Sequence, residues 1–153
     1  MTGAPLRIAF DATLLATATP TGVEHAIRAS LRSLLASAQD HLIIFAASDL
    51  HTETRDSGRA EIHFAPLAAR GRASRILWQQ TILPRLLRRH GAGLLFAPGY
   101  VAPLLAPCPV VLCVYDLIAL DRPSLCKPAN ALHYRLALPP PIPRAAPVLA
   151  PPP

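Results

Sequence analysis

The stretch that decides the fold is LRIAFDATLLATATPTGVEHAIRASLRSLLASAQDHLIIFAA, residues 6–47. Leu6 to Phe10 is a short apolar run ended by Asp11, and residues 11–21 carry Thr, Ala and Pro without helical periodicity. That pattern predicts a strand, then a loop. From Val23 the apolar residues fall at Val23, Ala26, Ile27, Leu31, Leu34, Leu35 and Ala38, the spacing that lines one face of an α-helix. Thr21 and Gly22 stand where its N-terminal cap belongs, and Glu24 in the first turn suits the positive end of the helix dipole. Leu42 to Ala47 is then apolar without alternation, as a parallel strand covered on both faces must be.

Beyond this unit the pattern repeats. Ser48 to Arg59 is polar and reads as a surface loop, and Ile62 to Ala65 is a weaker third strand ended by Pro66. A basic linker from Ala69 to Arg75 leads into a helical segment from Ser74 to His90, with Ile76, Leu77, Leu83, Leu86 and Leu87 on its apolar side. Pro84 must kink or restart that helix, and Gly91 and Gly93 stop it. Leu94 to Ala97 and Val110 to Tyr115 are the fourth and fifth strands, separated by a Pro-rich loop from Pro98 to Cys108. Ala129 to Leu138 has the composition of a last helix. Strands alternating with helices predict an α/β fold, a Rossmann-like open parallel sheet with helices on both faces, spanning residues 1–138. Ligands bind such sheets outside the carboxyl ends of the strands. Asp11, Ser48, Asp49, Pro66, Pro98, Gly99, Tyr115 and Asp116 all fall at that edge.

Composition narrows the partners. The chain has 15 basic and 9 acidic residues, a net +6 carried almost wholly by arginine, which with the abundant Ala, Gly and Pro is what a GC-rich coding sequence produces. No aromatic and basic interleaving, zinc finger or recognition-helix pattern accompanies the charge, so nucleic-acid binding is not expected. The apolar stretch from Val101 to Leu120 is interrupted by Pro103, Pro107, Pro109 and Asp116, which fits a buried strand with loops better than a membrane span. The amino terminus lacks the length and flanks of a signal peptide, so the cytoplasm is the expected compartment. Cys108, Cys113 and Cys126 show no CxxC spacing and no His stands beside them at a zinc-ligand interval. They read as reduced, buried thiols, and no metal site is predicted.

Three ordered segments carry a likeness: RIAFDATLLATATPTGVEHAIRASLRSLL, ILWQQTILPRLLRRHGAGLLFAPGYVAPLLAPCPVVLCVYDLIAL and KPANALHYRLALP. They resemble the amino-terminal domain of family four glycosyltransferases, whose GT-B architecture sets two Rossmann-like domains face to face. Asp11, Thr21, Gly22, Val23 and Glu24 match that family's first strand, loop and helix start, whereas Thr13, His25 and Ala26 depart from it. Trp78, Leu83, Pro84, Leu86, Leu87, Leu94, Pro98, Pro103, Tyr115, Asp116 and Leu117 match the later pattern in order. The resemblance implies transfer of a sugar from a nucleotide-sugar donor to a glycan or lipid-linked acceptor, with retention and with no required metal or other cofactor. It further implies that the donor is bound by a carboxy-terminal domain for which these 153 residues leave no room, so that this fragment alone is not expected to catalyse transfer. Residues 139–153, PPIPRAAPVLAPPP with the preceding proline, read as an irregular tail where the family would continue with a helix and strand. A shifted reading frame in a GC-rich gene would leave that pattern. The competing expectation is a non-catalytic Rossmann-like binding or interaction module, or a truncated gene product without function.

By the same resemblance Tyr115 and Asp116 are the catalytic candidates at the cleft edge, and Asp11, Gly22, Val23, Glu24, Pro98, Gly99 and Tyr100 line the acceptor side. Tyr115 stands where many relatives have His. With an ordinary pKa of about 10 it would position substrate rather than act as a base. Asp11 and Asp116 serve equally well as structural acceptors at a strand end, and Gly22 as part of a helix cap. Arg70, Arg72, Arg75, Arg85, Arg88 and Arg89 form a basic run without an intervening acid. Its common fate is a solvated helix face; its sharper reading is docking to anionic lipid headgroups, suited to a lipid-linked acceptor. The six histidines are scattered and read as surface or structural residues.

Overall fold

A computed structural model describes residues 5–15, 21–37, 40–47, 58–66, 71–115 and 148–149. The elements run β1 (Arg7–Ala12), α1 (Gly22–Ser37), β2 (His41–Ala46), β3 (Ala60–Phe64), α2 (Arg72–Thr81), α3 (Leu83–Arg89), β4 (Leu94–Ala97), β5 (Val110–Cys113) and β6 (Val148–Leu149). They form one sheet of order β3-β2-β1-β4-β5-β6 in which every pair is parallel. The α/β class, the open parallel sheet and the five expected strands are all present. The chain builds outward from β1 to β3, then crosses back and builds outward again from β4, so the strand order reverses between β1 and β4.

Alternation along the strands sorts the core into two layers. Ile8, Phe10 and Ala12 of β1 align with Leu42, Ile44 and Ala46 of β2 and pack against Ile27 and Leu31 of α1. Ala9 aligns with Ile43 and Leu95 and faces Trp78, Leu83 and Leu87 of α2 and α3. Helices therefore cover both faces, as continuous hydrophobicity in β2 requires. Phe10 and Phe96 stack at 5.4 Å on the α1 side and tie β1 to β4.

Differences from expectation have local causes. β1 continues through Asp11 to Ala12 because the Asp11 carboxylate is satisfied by side-chain and backbone donors, so a polar residue does not end the strand. Val148 and Leu149, within the stretch expected to be irregular, pair with Leu112 and Cys113 as a two-residue edge strand. Proline is confined to positions beside them, and an edge strand uses only one of its hydrogen-bonding sides. The helix expected over Ala129–Leu138 lies outside the described residues, as do residues 116–120 of the apolar stretch that includes β5. Among the described residues no helix is long and apolar enough to cross a membrane.

Pro84 restarts the helix, one of the two outcomes open to it. Ile82 closes α2 by donating its N–H to Trp78 O at 2.9 Å and also caps α3, whose first turn takes Pro84 where a missing N–H does no harm. Gly91, at φ 61°, ends α3: its N–H donates to Arg88 O at 3.1 Å and that of Ala92 to Leu87 O at 2.9 Å. That is the paired-bond helix stop that needs a left-handed residue. Gly91→Ala should lower stability by about 1 kcal/mol, seen as a reduced urea midpoint with an unchanged slope.

Candidate functional site

The loops beyond β1 and β4 leave a cleft of about 400 Å³ between the start of α1 and one face of α2. It lies at the strand-order reversal, where an open parallel sheet binds ligands. Thr21, Val23 and Glu24 form the α1 side, and Gly99, Tyr100 and Val101 the β4 side. Arg72, Arg75, Ile76 and Gln79 of α2 form the third wall. Their spacing of three and four residues puts them along one helix face.

The α1 side is built by reciprocal capping. Thr21 N–H donates to Glu24 Oε2 at 2.7 Å, and Glu24 N–H donates weakly to Thr21 Oγ1 at 3.4 Å. The Thr-x-x-Glu spacing supplies both halves of this box. Glu24 is 3% exposed, so its carboxylate organises the helix start in place of projecting freely into the cleft.

Behind the α2 wall lies a buried polar unit. Odd-numbered residues of β1 face α2 and α3, so Asp11 points that way. Its Oδ1 accepts from Thr13 N–H at 3.0 Å and Thr13 Oγ1–H at 2.6 Å, and its Oδ2 from Gln79 Nε2–H at 2.6 Å. Gln79 thus connects Asp11 to the cleft, and its buried Oε1 has no hydrogen-bond partner among the described residues. Gln79 is the cleft residue that sequence reasoning missed most completely, since a lone Gln in a helix carries no signal without the strand it faces. Arg72 and Arg75 were visible only as part of a basic run; they line the cleft, whereas Arg85, Arg88 and Arg89 are exposed on α3.

Of the remaining sequence candidates, Val23, Glu24, Gly99 and Tyr100 are brought together at the cleft. Asp11 and Pro98 are buried outside its lining. Gly22 is exposed, and a Cβ there would meet open space, so nothing in the packing demands glycine. Tyr115 does not line the cleft but packs edge-on behind Tyr100, ring centres 5.5 Å apart. Asp116, Ser48 and Asp49 lie outside the described residues, and Pro66 is exposed away from the cleft. Tyr100 is the one described non-glycine residue with positive φ, 66°. Its buried ring, held between the cleft and Tyr115, offsets that backbone strain.

The Tyr115 hydroxyl is buried with no hydrogen-bond partner among the described residues. Burial, and then the neighbouring Cys113, push its phenol up to about 12. Burial likewise pushes the Cys108 and Cys113 thiols up, in keeping with inert cysteines.

A second polar group lies at the opposite, amino edge of the sheet. His41 Nε2 is 2.7 Å from Glu61 Oε1, Arg7 Nη2 is 3.8 Å from the same oxygen, and His63 Nε2 is 3.5 Å from Glu61 Oε2. The His41 contact holds the Glu61 carboxyl below its ordinary range, with a smaller contribution from His63. His90 joins the group from the end of α3, its backbone oxygen accepting from Arg7 Nε–H at 2.8 Å.

No family model, curated protein or solved structure matches the chain. Topology and cleft define the class: an α/β protein with a Rossmann-like parallel sheet and a cleft at its strand-order reversal.

Two outcomes test this geometry. Asp11→Ala strands the buried Thr13 and Gln79 donors and should lower stability by about 3 kcal/mol in urea unfolding. Ultraviolet titration should show one tyrosine ionising near pH 12. Because that folded pKa is raised above the unfolded value of about 10, its stabilising contribution is complete below pH 10 and is lost as pH rises through 12.

Proposed function

We propose that the chain is the acceptor-side domain of a glycosyltransferase of GT-B architecture, and that its cleft receives a glycan or lipid-linked acceptor. The observation that carries this reading is the convergence of Val23, Glu24, Gly99 and Tyr100, chosen by resemblance, with Arg72 and Arg75 around one cleft at the strand-order reversal. Hydroxyl-rich ligands bind where an aromatic ring offers an apolar face and polar groups surround it. Tyr100, Ile76 and Val101 line the cleft with apolar surface, and Arg72 and Arg75 carry donors suited to hydroxyl or phosphate oxygens. In this reading the nucleotide-sugar donor belongs to a partner domain of the complete enzyme. The chain then works in the cytoplasm, with Arg85, Arg88 and Arg89 facing anionic headgroups of the inner membrane surface.

A second reading, a non-catalytic binding module, is favoured by one observation. Glu24 and Asp11 are both committed to hydrogen bonds, and Tyr115 is protonated far above neutrality, so these three offer no general base near pH 7.

Saturation-transfer NMR with glycans and a short-chain polyprenyl-linked sugar should give signals that Arg75→Ala weakens. Loss of a hydrogen bond from a charged group corresponds to about tenfold or more in affinity. Binding without transfer by the protein carrying its donor domain, across a nucleotide-sugar panel, would select the second reading. Absence of any carbohydrate binding would remove the first.

A further inference from the structure

The cluster at the amino edge plays no part in the cleft. Glu61 and His63 stand two residues apart on β3, so both project from the face that α2 and α3 cover. His90, the C-cap of α3, meets them there, its ring 4.1 Å from that of His63 between centres. One ligand atom from each of Glu61, His63 and His90 lies within 4.8 Å of the others. We propose that these three residues bind a single divalent transition-metal ion of the zinc class.

The spacing is close to what such an ion needs. Nitrogen and oxygen ligands at about 2.0–2.2 Å around a tetrahedral centre sit roughly 3.3–3.5 Å apart. His63 Nε2 and Glu61 Oε2 are already 3.5 Å apart, and small side-chain rotations would draw His90 in. His63 Nε2 is buried with no hydrogen-bond partner among the described residues, a costly state that a coordinated ion would relieve. His41 is the positioning residue: at 2.7 Å it engages Glu61 Oε1 and leaves Oε2 toward His63. Ligating carboxylates ordinarily have such an outer partner. Phe45 backs the group, with ring centres 5.7 Å from His63 and 6.2 Å from His90.

The donor set also selects the ion. Two imidazoles and one carboxylate suit Zn²⁺, Ni²⁺ or Cu²⁺ and not the oxygen-seeking Mg²⁺ or Ca²⁺. Arg7, 3.8 Å from Glu61, further disfavours a cation held by charge alone. Coordination would join the outer strand β3 to the end of α3, so binding would stabilise the fold.

The test titrates the whole chain with zinc chloride by calorimetry and with Co²⁺ by visible absorbance. One ion per chain is expected, with a Co²⁺ spectrum lacking the sulfur-to-metal charge-transfer band and a raised thermal midpoint. His63→Ala and His90→Ala should each weaken binding by about a hundredfold and His41→Ala by about tenfold, while His25→Ala, at an exposed position of α1, should leave it unchanged. Zinc should also protect His63 and His90 of the unaltered chain from diethyl pyrocarbonate, read by mass spectrometry, which needs no variant to fold. Absence of a saturable site, a thiolate spectrum, no protection of these two histidines, or binding that survives both substitutions would overturn the proposal.

Discussion

The parallel pairing of β1 with β4 joins the half of the sheet made by residues 7–64 to the half that begins at residue 94, through three aligned pairs, Ile8–Leu94, Ala9–Leu95 and Phe10–Phe96. All strands point the same way, but the chain adds them outward to one side of this seam from β1 and to the other side from β4. The loop after β1 and the loop after β4 consequently emerge side by side and cannot cover one another. The cleft is the space that remains, and α2 closes its third side because its own packing against the seam is set by Trp78 beneath it.

The buried carboxylate beneath this cleft is tolerated because its own oxygens are satisfied. An unpaired buried carboxylate would cost several kcal/mol, yet Asp11 has donors at both oxygens. The Asp11 unit therefore holds α2 against β1 through a directional contact where the neighbouring contacts are apolar. Glu24 acts locally, fixing the start of α1 through its reciprocal bonds with Thr21. The cleft walls are shaped by carboxylates that are themselves engaged, which separates binding geometry from acid–base chemistry within one site.

The sheet was legible because period-two and period-3.6 patterns depend on neighbours in sequence: residues 6–47 alone contain strand, helix and strand. Gly91 and Pro84 were legible for the same reason, since a helix stop and a restart are local events. Asp11 shows the limit. A strand-end acid looks like a terminator until Gln79, 68 residues away, is placed opposite it. Glu61, His63 and His90 show it again, because no spacing along the chain relates a strand pair to a helix cap. The arginine run was legible only in part: Arg85, Arg88 and Arg89 lie on an exposed helix face as such a run ordinarily does, but Arg72 and Arg75 line the cleft because α2 and α3 divide the run, and Arg70 lies outside the described residues. Val148 and Leu149 were hidden by the prolines around them.

The turn that ends α3 has a consequence for how the chain can vary in length. Three residues, Gly91 to Gly93, separate the His90 cap from β4, and Gly93 N–H donates to Arg7 O at 2.8 Å, so that the connection is tied to β1. One residue added within α3 would swing His90 by about 100° around the helix axis; one added after it would push β4 out of register with β1. Substitutions on the exposed outer side of α3 disturb no packing, whereas insertions and deletions there would disturb two things at once, the histidine at the helix end and the central pairing of the sheet.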